Sequence, residues 1–545
     1  MRAPVVLREH PSSCASTSSS CASTRHPARS RRIHRSRPAP RSLARCLDPV
    51  LRLLPFSRTG SAGAVRNNGE RRDSDGSVHA RVESASNVRG SRYSGREREG
   101  GAMSETILRA DAMLTPDGAI AGAELAFDET GRITYAGSAR PDRGDRADRV
   151  HDLSGHVLMP GLVNGHTHSA MTLLRGVSDD EGFMPWLAAV QALEQHLTHE
   201  DVETGLQLAM VEMIETGTVA FADMYHWDES LIELVRAAGM RAMVALASFA
   251  PEAVGFPGVS PWNGAEATAQ TEALAEQYAG DPQIRVAYGP HAPYTCPPEF
   301  LSDIAVRAVE RGIPIHTHIS ESAAEVEQIL ERYGATPGDH LASLGLFDAE
   351  VLAAHCVHLT EGEIELFARV GAAVSHNPVS NLKLGCGIAP LPDWQAAGLR
   401  VSLGTDSVAS NNTLDLFEEI KTATILHRGA RQDAAIVRAS DVLDIATRRG
   451  AEAIGFPETG ALEAGRLADV IALDMRGSAA TPLDLAANPA VLTSHLGFAA
   501  SGADVRHVFV GGRHVYADGE HLTLDAAAIR ARAASARARL SAAAR

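Results

Sequence analysis

From Met159 onward the chain repeats one pattern: an apolar run, a short polar turn, then a stretch with apolar residues every three or four positions. The runs MRAMVALAS, IRVAYG, IPIHTHI, VLAAHC, AAVSHN and LRVSLGTD read as buried strands. Residues 201–215, 265–278, 298–311 and 321–333 read as amphipathic helices. This alternation, over roughly 280 residues, predicts an α/β architecture. The number of units suits a closed eight-stranded barrel better than an open sheet.

The flanks have another texture. TILRADAMLTPDG reads as a strand entering a Pro-Asp-Gly turn, and AELAFDETGRITYAG as a hairpin. GRLADVIALDM and VRHVFVGGRHVYADG are strand-like near the other end. The expected organisation is a barrel over 158–454, a small β-sandwich built from 103–157 and 455–525, and a C-terminal helix over 526–545 with one solvated face. Residues 1–102 hold no lasting periodicity. Their Ser, Arg, Gly and Pro cannot bury enough surface to offset chain entropy. They are expected to be a disordered leader or a start assigned too far upstream, with the folded part opening at Met103.

Composition narrows the picture. The 545 residues carry a net charge of -16. Residues 1–102 contain 20 Arg, no Lys and 8 acidic side chains, so the rest stands at -28 (-16 minus +12). Such an acidic body gains no attraction to nucleic-acid phosphates. No run of 18 apolar residues predicts a membrane span. The six cysteines (Cys14, Cys21, Cys46, Cys296, Cys356, Cys386) form no CxxC pair, and Cys296, Cys356 and Cys386 read as packing residues. A reducing, cytoplasmic setting is the expectation.

The chemistry lies at the ends of the predicted strands. VLMPGLVN runs into His166-Thr167-His168. Later runs end at His291, His318, His355, His376 and Asp406. In a β/α barrel such positions gather at one mouth. His166 and His168, two apart on a strand, share a face and can reach one ion. His318 adds a third nitrogen and Asp406 an oxygen. That donor set suits Zn2+, and also Fe2+, Mn2+ or Ni2+. His316 shares the face of His318 and competes with it as ligand. Glu321, three residues after His318, reads either as a general base or as a helix-start residue stabilised by the helix dipole. His355 reads as a core histidine or as a group that orients the nucleophile. His376 reads as loop organiser or pocket group, and His358 as a helix-start or surface residue. No phosphate loop, dinucleotide fingerprint or Gly-X-Ser-X-Gly elbow is present.

The motifs PGLVNGHTHSAMTLLRG, FADMY, YGPHAPYTC, HTHISE, AHCVHLT, SHNPVSNLKLG and LGTDSVASNN occur in order between residues 160 and 412, within a match that runs from about residue 104 to at least residue 525. In these the chain resembles the amidohydrolase superfamily, in its methylthioadenosine/S-adenosylhomocysteine deaminase and chlorohydrolase-like branch. The resemblance implies a distorted (β/α)8 barrel with a β-sandwich from both chain ends. It assigns His166, His168, His318 and Asp406 to one divalent metal, which decides between His316 and His318. It makes Glu321 the proton shuttle, His355 the sixth-strand histidine, and His291 a substrate contact. Glu194 is similar to the glutamate that binds ribose hydroxyls. A bridging carboxylated lysine has no counterpart, and Lys383 is not cast in that role, so one metal is expected. The segment PEAVGFPGVSPWNGAEATAQ holds no arginine for a substrate's tail carboxylate.

The expected reaction is hydrolytic deamination of an adenosine-type or related amino-heterocycle, with Glu321, His355 and Asp406 as catalytic groups. A homodimer or homotetramer is implied by the resemblance alone. Two other readings compete: hydrolysis of another heterocycle, including dechlorination or cyclic-amide opening, and a non-catalytic barrel scaffold. A substrate panel reading ammonia, halide and ring absorbance separates the first, and metal-free inactive protein would favour the second.

Overall fold

The computed structural model describes residues 105–140 and 149–543. The leader expectation, Met103 and Cys14, Cys21 and Cys46 lie outside these described residues. Sixteen strands are present among the described residues. β1 (Glu105–Thr115), β2 (Gly118–Asp128), β3 (Ile133–Ser138) and β4 (Arg149–Pro160) come first. The barrel follows: β5 (Leu162–Thr167), β6 (Thr218–Tyr225), β7 (Arg241–Ser248), β8 (Ile284–Pro290), β9 (Ile315–Ile319), β10 (Val351–His355), β11 (Ala373–His376) and β12 (Arg400–Leu403). The chain returns to the first sheet with β13 (Val470–Asp474), β14 (Val505–Val510), β15 (Arg513–Ala517) and β16 (Glu520–His521).

β5 to β12 close a parallel barrel in chain order, with β12 pairing β5 through Leu403 and Asn164. Every residue of β6 and β7 is buried. A parallel strand has both faces covered, which is why these segments read as continuous apolar runs. The helices show the complementary pattern. Pro298–Arg311 opens with Pro at its start, buries Phe300, Leu301, Ile304, Ala305 and Ala308, and ends at Gly312 with φ +66°. The expected helices at 201–215 and 265–278 are His199–Glu215 and Gly264–Gln277. The last expected helix starts later than the periodicity suggested. It spans Ala323–Tyr333, with the Ser322 side chain as cap. Glu321 therefore lies in the loop before the helix and is not a helix-start residue.

Strands within residues 105–160 and 470–521 meet in one eight-stranded sheet, ordered β16-β15-β14-β13-β4-β1-β2-β3. The pairing that joins them is antiparallel, β13 on β4, with Val470 opposite Pro160 and Asp474 opposite His156. Phe127 on β2 and Phe509 on β14 stand four strand spacings apart, about 19 Å in a flat sheet. Their ring centroids are 6.2 Å apart. The sheet thus folds over on itself and encloses an apolar core of its own that includes Leu108, Met113, Leu125, Leu158 and Phe509. The expected β-sandwich is this single curled sheet. The C-terminal helix, Ala526–Ala543, buries Ile529, Ala533 and Leu540 and exposes much of the rest. Among the described residues no helix is long and apolar enough to cross a membrane.

Candidate metal centre and active site

The strand ends at the barrel mouth carry the predicted side chains inward. β5 and β12 approach closely just before them. A Cβ on Gly165 would fall 2.0 Å from Ser402 Oγ, and one on Gly404 2.5 Å from Asn377 Oδ1 and 2.8 Å from the His166 nitrogen. Only glycine fits either place. Two residues beyond Gly404, Asp406 takes φ +59°, and His355 at the end of β10 takes φ +70°. Left-handed backbone at a non-glycine residue is uncommon, and here it turns both side chains into the mouth.

Four atoms converge. His168 Nε2 lies 3.3 Å from His318 Nε2 and 3.3 Å from Asp406 Oδ1, and His166 Nε2 lies 3.5 Å from the same oxygen. The rings of His166 and His318 are 4.9 Å apart at 88°. Their far nitrogens show which lone pairs are free. Nδ1 of His168 donates to Met224 O and Nδ1 of His318 to His291 O. A carbonyl only accepts, so in the neutral imidazoles both Nε2 atoms face each other as acceptors. His166 Nε2 is buried without a hydrogen-bond partner. The cluster calls for a positive charge. Burial opposes a proton on His168, but the Asp406 carboxylate lifts its pKa to about 9. A tetrahedral ion with bonds of about 2.0–2.1 Å sets its ligands about 3.3 Å apart. The spacings, orphaned nitrogen and imidazole–carboxylate chemistry all fit a divalent metal.

The surroundings hold these groups in place. Asp406 Oδ2 accepts from Ser380 Oγ at 2.6 Å and Ser410 Oγ at 2.7 Å, which leaves Oδ1 for the histidines. Burial opposes the Asp406 charge, yet His166 and His168 hold its pKa well below the usual carboxylate range. Glu321 Oε1 stands 3.9 Å from His355 Nε2, and burial, aided by the Asp406 charge, pushes the Glu321 carboxyl up. The turn beneath Glu321 is fixed by Glu325. Its carboxylate accepts the backbone N–H of Ser320 at 3.0 Å and of Glu321 at 2.7 Å. Asp223 accepts from the Ser169 nitrogen and from Trp227 Nε1, bracing the loop after His168.

His291 packs beside His318, ring centroids 4.8 Å apart, under the stacked ring of Phe249. Burial first, and the His168 and His355 charges next, lower its pKa to about 3. Glu194 ends the helix Phe183–Glu194 and accepts from Tyr225 Oη at 2.7 Å. Burial raises its carboxyl, against the Tyr225 hydrogen bond. Other sequence candidates go elsewhere. His316 touches His166 through Nδ1 of the latter. His376 packs against His427 and Trp394, so it belongs to the barrel–helix layer. His358 holds the Cys386 carbonyl. Lys383 is paired with Asp179 and Asn412. Cys296, Cys356 and Cys386 are free and buried, and burial pushes the Cys296 thiol up to about 11. Ser380, Ser410, Asn381, Glu325 and Asp223 went unassigned in the sequence. SHNPVSN and FADMY contain three of them, but Asp223 lies within β6 and Ser380 and Asn381 within the short helix Pro378–Lys383, where periodicity does not say what a polar side chain will touch.

A family model described as "Amidohydrolase family" matches residues 157–515. A 5-methylthioadenosine/S-adenosylhomocysteine deaminase of Syntrophobacter fumaroxidans is 43% identical over 404 residues, 73% of this chain and 89% of that protein. A 5'-deoxyadenosine deaminase of Methanosarcina acetivorans is 40% identical over 419 residues, 75% of this chain and 92% of that protein. Among solved structures, an adenosine deaminase from Xanthomonas campestris with bound zinc superposes with a TM-score of 0.75 at 32% identity, over 81% of this chain and 99% of that one.

Proposed function

The chain belongs to the amidohydrolase family, and we propose from that premise that it deaminates adenosine-type nucleosides hydrolytically, releasing ammonia. The observation that carries the reading is the pair of Nε2 atoms of His168 and His318, 3.3 Å apart beside Asp406. The names of the similar proteins supply the substrate class, with 5'-methylthioadenosine and 5'-deoxyadenosine foremost.

His166, His168 and His318 through Nε2, and Asp406 through Oδ1, would hold one divalent ion. Such an ion supplies the Lewis acidity that makes water nucleophilic, lowering its pKa from about 15.7 toward about 7. Zinc suits three imidazoles and a carboxylate. The remaining work falls to the chain. Glu321 takes a proton from water and delivers it to the ring nitrogen next to the reacting carbon. His355 turns Nε2 toward Glu321 and orients the attacking water. The carbon–oxygen bond forms, the carbon–nitrogen bond to the exocyclic amine breaks, and Asp406 relays the second water proton to the leaving amine. Products are ammonia and the oxo-purine nucleoside. His291 contacts the purine, and Glu194, held by Tyr225, takes the ribose hydroxyls. The family resemblance adds a homodimer or homotetramer to this reading, and the cysteine usage a reducing, cytoplasmic setting.

The test is a panel of adenosine, 5'-methylthioadenosine, 5'-deoxyadenosine, S-adenosylhomocysteine, guanine and a chlorotriazine, read for ammonia and halide. Ammonia from the nucleosides is expected. Halide alone, or no turnover of any nucleoside by metal-loaded protein, contradicts the proposal.

A further inference from the structure

For an imidazole to offer Nε2 to an ion, its proton must sit on Nδ1. His168 and His318 have a backbone carbonyl at Nδ1, which forces that tautomer. His166 has none. Its Nδ1 lies 2.9 Å from Nε2 of His316, with the rings 5.0 Å apart at 81°. His316 stands two residues before His318 on β9, so it points to the same side one layer deeper in the barrel. It is fully buried, and its own Nδ1 has no hydrogen-bond partner.

We infer that His316 is a positioning residue whose Nε2 accepts the His166 Nδ1–H when an ion takes up the deepest ligand nitrogen, His166 Nε2; this rests on the metal-centre reading above. The proton count allows two arrangements of the neutral pair. In one, His166 Nδ1–H donates to His316 Nε2, and the His316 proton sits on its unpartnered Nδ1. In the other, His316 Nε2–H donates to His166 Nδ1, and His166 Nε2–H points at Asp406 Oδ1. Both hold two protons, so changing between them releases none. Only the first presents a lone pair to the centre. It leaves a buried N–H of His316 without an acceptor, which disfavours it until an ion binds. His316 thus couples the barrel interior to metal occupancy without ligating.

The test is chelator competition for Zn2+ on the full chain. His316→Gln places an amide oxygen near the site of Nε2 and is expected to bind Zn2+ about as tightly as the wild type. His316→Leu removes the acceptor and is expected to weaken Zn2+ binding about 10- to 100-fold, while melting like the wild type in excess chelator. Tight binding by folded His316→Leu overturns the inference. So does equal weakening in both variants, which indicates packing. If His316→Leu does not fold, His316→Asn, too short to reach His166, replaces it under the same two outcomes. Failure of the wild type itself to bind Zn2+ overturns the metal-centre reading instead.

Discussion

Nδ1 of His355 lies 2.9 Å from Oδ1 of Asn381, nearer than the 3.3 Å to Nδ2 of Asn377. An amide oxygen accepts, so the shorter contact puts the His355 proton on Nδ1 and turns the Nε2 lone pair toward Glu321 and Asp406. Removing that acceptor frees the ring to turn or to change tautomer. Asn381→Leu is expected to lower kcat by about 100-fold, the lower end of acid–base contributions, with KM nearly unchanged. Asn381→Asp, which still accepts, should retain most of kcat. Steady-state kinetics of both variants decide it.

Glu321 should separate chemistry from metal binding. Its carboxylate lies 3.9 Å from His355 Nε2, and the proposed ligand set of His166, His168, His318 and Asp406 does not include it. Glu321→Gln is expected to cut kcat about 100- to 10,000-fold while metal content per chain stays the same. Loss of metal along with activity would recast Glu321 as a ligand.

Glu194 is tied to Tyr225 through one carboxylate oxygen, which leaves the other for a ligand. Glu194→Gln should raise KM for a nucleoside about 10-fold, the scale of a hydrogen bond to a charged group. It should leave KM for the free base adenine unchanged. An equal effect on both substrates would remove Glu194 from the ribose site.

Asp415 offers a pH test away from the metal. It caps the helix Leu416–Arg431 at the Phe417 nitrogen and accepts the N–H of Gly502, each at 2.9 Å. Burial raises its carboxyl from the ordinary 3.8 to about 6. The folded pKa lies above the unfolded one, so folding favours the protonated form. That stability is present below 3.8 and is lost as pH rises through about 6. Asp415→Asn does not titrate. Its urea midpoint minus that of the wild type should therefore rise between about pH 4 and about pH 7, and a flat or falling difference contradicts the account.

The sequence made the strand-end residues visible because spacing alone exposes them. His166 and His168 are two apart, and Asp406 follows an apolar run. Their supports were hidden for a physical reason. The partners of His168 and His318 are the backbone carbonyls of Met224 and His291, which every residue possesses. His316 looked like a rival ligand because period two places it on the correct face. Only the structure shows it one layer lower, against His166. The sandwich was legible as two strand-rich ends, but the pairing of β13 with β4, and the fold of one sheet over itself, depend on contacts more than 300 residues apart in the chain.

The most direct measurement is a Zn2+ titration of chelator-stripped protein, reading ammonia release from 5'-methylthioadenosine at each step. A one-metal deaminase releases none at zero metal, then shows a linear rise that breaks at one ion per chain. Ammonia release without metal, or none at any loading, would contradict that assignment.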